Sequence, residues 1–326
     1  MVPLEVSLER LLHEKHSRKE SEYKFITGRL AVENLPHDHI YPWLVSWANR
    51  QLWDIGINSS AGRPLPQIHF DIVQVLDDVI NAHVFQADSL AFIVVTEPMI
   101  KEMCRLSHLF VERHRALMKL QIAPNATTDG SARFLLFMQF CIVVTHEYSH
   151  LVRHWQDDQA IDVRHLLSQA QELDADGYGV YHTLTYFFDG EGRSFASQWL
   201  KISSDKALEN SILDCYLLSV MLQFCAQWAG KTWIVSDRSA EHPPQPVRIE
   251  FSILMAEMWL REVHKVATPW MTDGTLNSYF KAVESLFPLD ARSSWTPQMS
   301  WLRGPESEAY RTAVRRSFDQ IRTGKA

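Results

Sequence analysis

Residues 146–150 read His146-Glu147-Tyr148-Ser149-His150, and they close an apolar stretch running from Phe134 to Thr145. Two histidines at i and i+4 stand one above the other on a helix face, so both imidazoles reach a single divalent ion. Glu147 sits beside them, where its carboxylate can take a proton from water activated by that ion. A five-residue pattern recurs by accident, so the reading needs a third ligand from elsewhere in the chain.

Glu172-Leu173-Asp174-Ala175-Asp176 supplies it. A catalytic zinc commonly takes three protein ligands and keeps a fourth place for water, and His, His and Glu is one such set. Between His150 and Glu172 the chain has room to end one helix, turn, and bring a carboxylate back on a second. Asp176 follows Glu172 by one helical turn and shares its face. A carboxylate there can accept the free N–H of a ligand histidine and fix its orientation. Asp174 points elsewhere and is expected to be solvated or to act as an N-terminal charge. The expected metal set is therefore His146, His150 and Glu172, with Zn2+ as the cofactor and Asp176 behind it.

H-E-x-x-H followed by E-x-x-x-D resembles the gluzincin metallopeptidases. The form E-L-D-A-D is similar to the HtpX and CAAX prenyl protease family. His242-Pro243-Pro244 with Arg248-Ile249 resembles the H-P-P-x-x-x-R-I segment of that family, in the same chain order. Phe92-Ile93-Val94-Val95-Thr96, with Asn81-Ala82 upstream, resembles the edge strand those enzymes carry before the zinc helix. The likeness spans roughly residues 80–255, motif by motif. Those relatives usually carry membrane helices and a longer gap before the glutamate. The compact gap here looks more like the Lit-type phage-exclusion peptidases. The resemblance implies a zincin-like fold, a small sheet beside the H-E-x-x-H helix, and an edge strand (Leu90–Thr96) open to pairing with an extended substrate.

Other polar residues carry less. His154 continues the i, i+4 series, but it lies about 12 Å further along the helix than His146, beyond the reach of one ion. It reads as structural or as a rim residue, and His165 and His182, which have no spacing argument, read as packing or surface groups. Arg248 has two readings of equal standing: a donor to substrate or transition state, or an ion pair that holds its loop. His242 shares both readings, with the structural one favoured because its proline pair already makes it a turn residue. The candidate catalytic residues are thus Glu147, Arg248 and His242.

The elements that must position these groups are α+β and mostly helical. Val6–Arg18, Ile40–Trp53, Met99–Lys119, Ser131–Trp155, Leu166–Phe188, Asp205–Ala229 and Val247–Val263 read as helices. Gln67–Val75 and Leu90–Thr96 read as strands, rich in Ile, Val and Phe. Ala123–Gly130 reads as a linker and separates an N-terminal α+β region, residues 1–122, from a helical region, residues 131–326, that carries the zinc ligands. A length of 326 residues allows a large core. The net charge of −7, with interspersed signs and no basic tract, excludes nucleic acid as an expected partner. Cys104, Cys141, Cys215 and Cys225 form no C-x-x-C and read as reduced thiols of a cytoplasmic protein. The run Phe134–Thr145 is short for a membrane span, and polar residues interrupt Ile212–Trp228, so a buried helix is the default for both and membrane association the alternative.

Together these residues predict a zinc endopeptidase acting on a protein or peptide, with Glu147 as general base, in a phage-defence or regulatory setting. The alternatives are a membrane-associated quality-control peptidase and a zinc-containing partner-binding protein without catalysis.

Overall fold

Helix-forming runs dominate the described residues, and among those residues one small sheet accompanies them. A computed structural model describes residues 8, 10–13, 25–36, 39–59, 66–87, 90–154, 164–228, 242–265, 272–287 and 304–323. The architecture is α+β: mostly helical, with one mixed sheet of four strands. By contacts the chain divides into two compact units, residues 1–102 with 150–155, and residues 103–149 with 156–326.

The first unit is built on the sheet. Its strands are β1 (Ile26–Arg29), β2 (Gln67–Val75), β3 (Ala82–Ala87) and β4 (Leu90–Thr96), in spatial order β1-β2-β4-β3. β2 and β4 run parallel, in register from Gln67 opposite Leu90 to Val73 opposite Thr96. β3 and β1 pair antiparallel on the two outer sides. The sequence boundaries of β2 and β4 agree with the structure, but β4 is not an edge. It lies between β2 and β3, and every residue from Ala91 to Thr96 is buried. An unbroken Ile/Val/Phe run is what a strand covered on both faces requires, so the expectation that Leu90–Thr96 offers its backbone to a substrate is overturned. Leu8, Leu11 and Leu12, from the short described part of the N-terminal helix, pack with Ile26, Val73, Phe85, Phe92 and Val94. Helix α1 (Ile40–Ser59) lies along β2. Its Asn49 occupies both backbone groups of Phe70, accepting from the N–H at 2.8 Å and donating to the carbonyl at 3.0 Å. Helix α2 (Glu97–Arg113) starts at Glu97 with Pro98 in its first turn, a position where the missing N–H costs nothing.

The second unit is helical. Helix α3 (Thr128–Ser149) starts on Thr127, whose hydroxyl accepts from the Gly130 N–H at 3.0 Å. Its residues are buried nearly all round, the mark of a core helix. Gly130 lies so close to α5 (Gly192–Leu200) that a Cβ there would stand 2.5 Å from the Trp199 carbonyl oxygen. Together with the turn that follows it, the helical segment Thr128–Arg153 is long and apolar enough to cross a membrane, yet 83% of its most apolar window is buried inside the protein. Further helices are α4 (Arg164–Asp189), α6 (Asp205–Trp228), α7 (Gln245–Glu262), α8 (Asp273–Glu284) and α9 (Pro305–Thr323). Phe134 and Phe137 of α3 meet Phe187 and Trp199 edge-to-face. All four cysteines are free, and three of them are buried.

Candidate metal centre

Helices α3 and α4 pack along most of their length, and small residues let them approach. Thr145 on α3 meets Thr183 and the Gly179 carbonyl of α4, at 3.3 and 3.4 Å. Glu172, Asp176, Gly179 and Thr183 recur at i, i+4, i+7 and i+11, so they form one stripe on α4 that faces α3. The stripe brings the two carboxylates to the end of α3 where the histidines lie.

Ligand atoms of His146, His150 and Glu172 all fall within 4.8 Å of one another. His146 Nε2 stands 3.5 Å from Glu172 Oε2. Two donors sharing a tetrahedral zinc are separated by about 3.4 Å, as bond lengths near 2.0–2.1 Å require, so this pair fits a common ion. On the other side of the ring, His146 Nδ1 lies 2.9 Å from Asp176 Oδ1. Asp176 thereby stands beside the ring as its charge partner, with Nε2 on the side of Glu172. The donor set and the carboxylate behind it suit zinc chemically. Just beyond Ser149 the helix widens into a π turn over His150–His154.

Arg248 completes the cluster from α7. Pro244 ends the incoming loop in extended backbone, Pro246 lies in the first turn, and residues 245–249 are buried. The guanidinium donates two bonds to Asp176, Nε at 2.8 Å and Nη2 at 2.6 Å, and Nη2 lies 3.4 Å from Glu172 Oε2. Its flat face rests on the Phe224 ring of α6, 4.6 Å from the centroid. The structure thus places Arg248 in a buried ion pair, with a side-chain exposure of 7%. His242 is different: its side chain is 59% exposed, while Nδ1 lies 3.1 Å from Glu172 Oε2. It stands at the solvent-facing rim of the carboxylate.

Charge in this cluster is tightly balanced. Burial opposes charge on His146, but Asp176 and Glu172 together outweigh it and lift the imidazole to about 10. Burial likewise opposes charge on Asp176, and Arg248 and His146 overcome it, holding the carboxyl below its usual range. Burial also works against the Arg248 cation, which Asp176, Glu172 and Glu147 raise above its ordinary value.

No family model, curated protein or solved structure matches this chain. The site therefore stands on its own geometry. His146, Glu172, Asp176, His242 and Arg248 are brought together, with His150 among the ligand atoms. Asp174 departs from expectation: it is buried, because α4 is packed against α3, α7 and α9 and has little free surface there. His182 packs against Tyr178 with ring centroids 4.2 Å apart, and burial pushes its imidazole down to about 4. The side chains of His154 and His165 lie outside the described residues, as do residues 236–241 of the proline-rich loop. Phe224 is the partner that sequence reasoning missed; an aromatic inside an apolar helix gives no sign that it will meet a cation.

Proposed function

We propose that this protein is a zinc-dependent endopeptidase of zincin-like, gluzincin type, hydrolysing a peptide bond of a protein substrate. The carrying observation is the convergence of His146, His150 and Glu172 to within 4.8 Å, with Asp176 set against His146 Nδ1. Zinc, when bound, would supply Lewis acidity to water and to the scissile carbonyl.

The remaining chemistry belongs to the side chains. Asp176 holds the His146 ring and its tautomer. Arg248 keeps Asp176 ionised and in place, which makes it a positioning residue rather than one that touches substrate. Glu147, next to His146 on α3, takes the proton released as water adds to the carbonyl and returns it to the leaving amine. His242, exposed at the rim, is the candidate donor to the carbonyl oxygen as it gains charge. The burial of α3 within its own unit and the free cysteines support a cytoplasmic enzyme, and a phage-defence or regulatory role remains our reading of the motif likeness.

Metal analysis tests this directly. Wild type and Glu147→Gln should each carry about one zinc per chain, and His146→Ala should lose most of it. Equal zinc in the histidine variant would refute the site. A proteome-wide comparison of new N-termini between wild type and Glu147→Gln then separates a peptidase from a zinc-holding partner protein: only the former generates termini that depend on Glu147.

A further inference from the structure

The groups around the candidate metal are held by α4 and α7, and a third helix from the far end of the chain lies across both. Ser307, Tyr310, Val314 and Ser317 of α9 are buried at i, i+3, i+7 and i+10, one face of an otherwise highly charged helix. Tyr310 and Val314 form one cluster with Ala170 and Leu173 of α4 and Val247 of α7, flanked by Leu166 and Phe251. Leu173 is the direct neighbour of Glu172, about 100° around the helix from it. Val247 is the direct neighbour of Arg248.

Two polar anchors reinforce this seat. The Tyr310 hydroxyl donates to Gln169 Oε1 at 2.7 Å, inside the protein. Arg311 Nη1 donates to both carboxylate oxygens of Glu250, at 2.9 and 2.7 Å. One anchor lies on α4, three residues before Glu172; the other lies on α7, two residues after Arg248. The Asp176–Arg248 pair joins the same two helices on the adjoining side. The separation of α4 and α7 is thus held by that ion pair and, next to it, by the α9 side chains.

We infer that helix α9 is the element that fixes the geometry of the metal centre, with Tyr310 and Arg311 as positioning residues that act through Glu172 and the Asp176–Arg248 pair. Closely packed side chains transmit small shifts, because an interior without voids cannot absorb them. Loosening α9 lets α4 rotate or slide against α7, and the carboxylates of Glu172 and Asp176 move away from His146. The inference rests on the metal-site reading proposed above, and its test keeps the two apart.

The experiment uses the full chain with Tyr310→Ala, the milder Arg311→Ala, and Tyr279→Phe as a control. Tyr279 is a buried residue of α8 whose hydroxyl serves Asp214, in the same unit. Zinc affinity is read by chelator competition, and amide hydrogen exchange is read in the metal-free protein. Partners behind a ligand typically change metal affinity 10–100-fold; one layer further out we expect about tenfold weaker zinc binding in Tyr310→Ala and about threefold in Arg311→Ala. Amides from Gln169 to Gly177 should exchange faster in both variants, while those of α6 keep their protection. Tyr279→Phe should leave zinc affinity and the α4 amides as in wild type. Unchanged affinity and exchange in both α9 variants would overturn the inference, as would equal changes in Tyr279→Phe, which would mean general loosening. Should wild type itself bind no zinc, the metal reading fails, and the exchange pattern still decides whether α9 holds α4.

Discussion

Arg248→Met removes a charge and keeps most of the side-chain volume. In the wild type this guanidinium makes two short bonds to Asp176, touches Glu172, and lies on the Phe224 ring. Asp176 is 4% exposed at its side chain, so water cannot replace the lost partner. Breaking a buried pair from one side costs about 3–5 kcal/mol. The ring contact contributes part of that, on the order of 1–2 kcal/mol for a desolvated cation. A unit of this size loses about 2–4 °C in Tm per kcal/mol, so metal-free Arg248→Met should melt about 6–20 °C lower. Asp176→Asn alone strands the cation and should also destabilise. The double variant leaves neither charge stranded and should be more stable than the sum of the single effects implies, by at least about 2 kcal/mol. Urea unfolding of the four proteins in the presence of a chelator gives this cycle. Additive effects, or an Arg248→Met protein within about 1 kcal/mol of wild type, would refute the claim that the pair is desolvated and coupled.

Other perturbations probe separate links of the argument. Gly130→Ala puts a Cβ where the Trp199 carbonyl oxygen stands 2.5 Å away; we expect about 1–3 kcal/mol of destabilisation by denaturant unfolding, and a neutral result would mean that α3 and α5 are less tightly apposed. Asn49→Ala uncovers both backbone groups of Phe70 and should cost the first unit about 2–4 kcal/mol, read as lost amide protection in β2. Burial raises the Asp214 carboxyl from 3.8 to about 6, so the native state prefers it protonated and its ionisation costs stability as pH rises through that range. Asp214→Asn should therefore be more stable than wild type at pH 8, by up to about 3 kcal/mol. The difference should vanish near pH 4, and a constant difference across that range would refute the assignment.

How much of this was legible in the sequence depends on the range of the interaction. The pairing of His146 with His150 and of Glu172 with Asp176 follows from helical spacing alone, so those side chains could be placed together before any coordinates. The boundaries of β2 and β4 were equally plain, because Ile, Val and Phe runs report a pleated, covered surface. The neighbours of β4 were not legible. β3, with the sequence AHVFQA, has only Val84 and Phe85 as strand-forming apolar residues, between a histidine and a glutamine, too little to announce a strand that takes the edge. The role of Arg248 also needed depth: the same residue serves a substrate when exposed and an ion pair when buried, and only its distance to Asp176 distinguishes the two. The buried face of α9 was hidden for a related reason. Two of its buried positions are serines within PESEAYRTAVRRSF, where composition points to solvent.

These cases share a physical cause that bears on the site itself. A buried cation, a buried serine and a central strand are all defined by what covers them, and the cover comes from residues distant in the chain. The H-E-x-x-H segment is local, but the conditions that would let it hold a metal are not. His146 needs Asp176 behind it, Asp176 needs the charge of Arg248, and Arg248 needs α7 held against α4. Each step recruits a segment further along the chain, from residue 146 to 176, to 248, and to 310. On the proposed reading, motif residues alone are therefore a weak guide to metal affinity. A variant that preserves all five residues of the motif but loses the Asp176–Arg248 pair should bind zinc about 10–100-fold more weakly than wild type. Chelator competition on Asp176→Ala measures this, and wild-type affinity in that protein would mean that the motif is sufficient and the long-range support irrelevant.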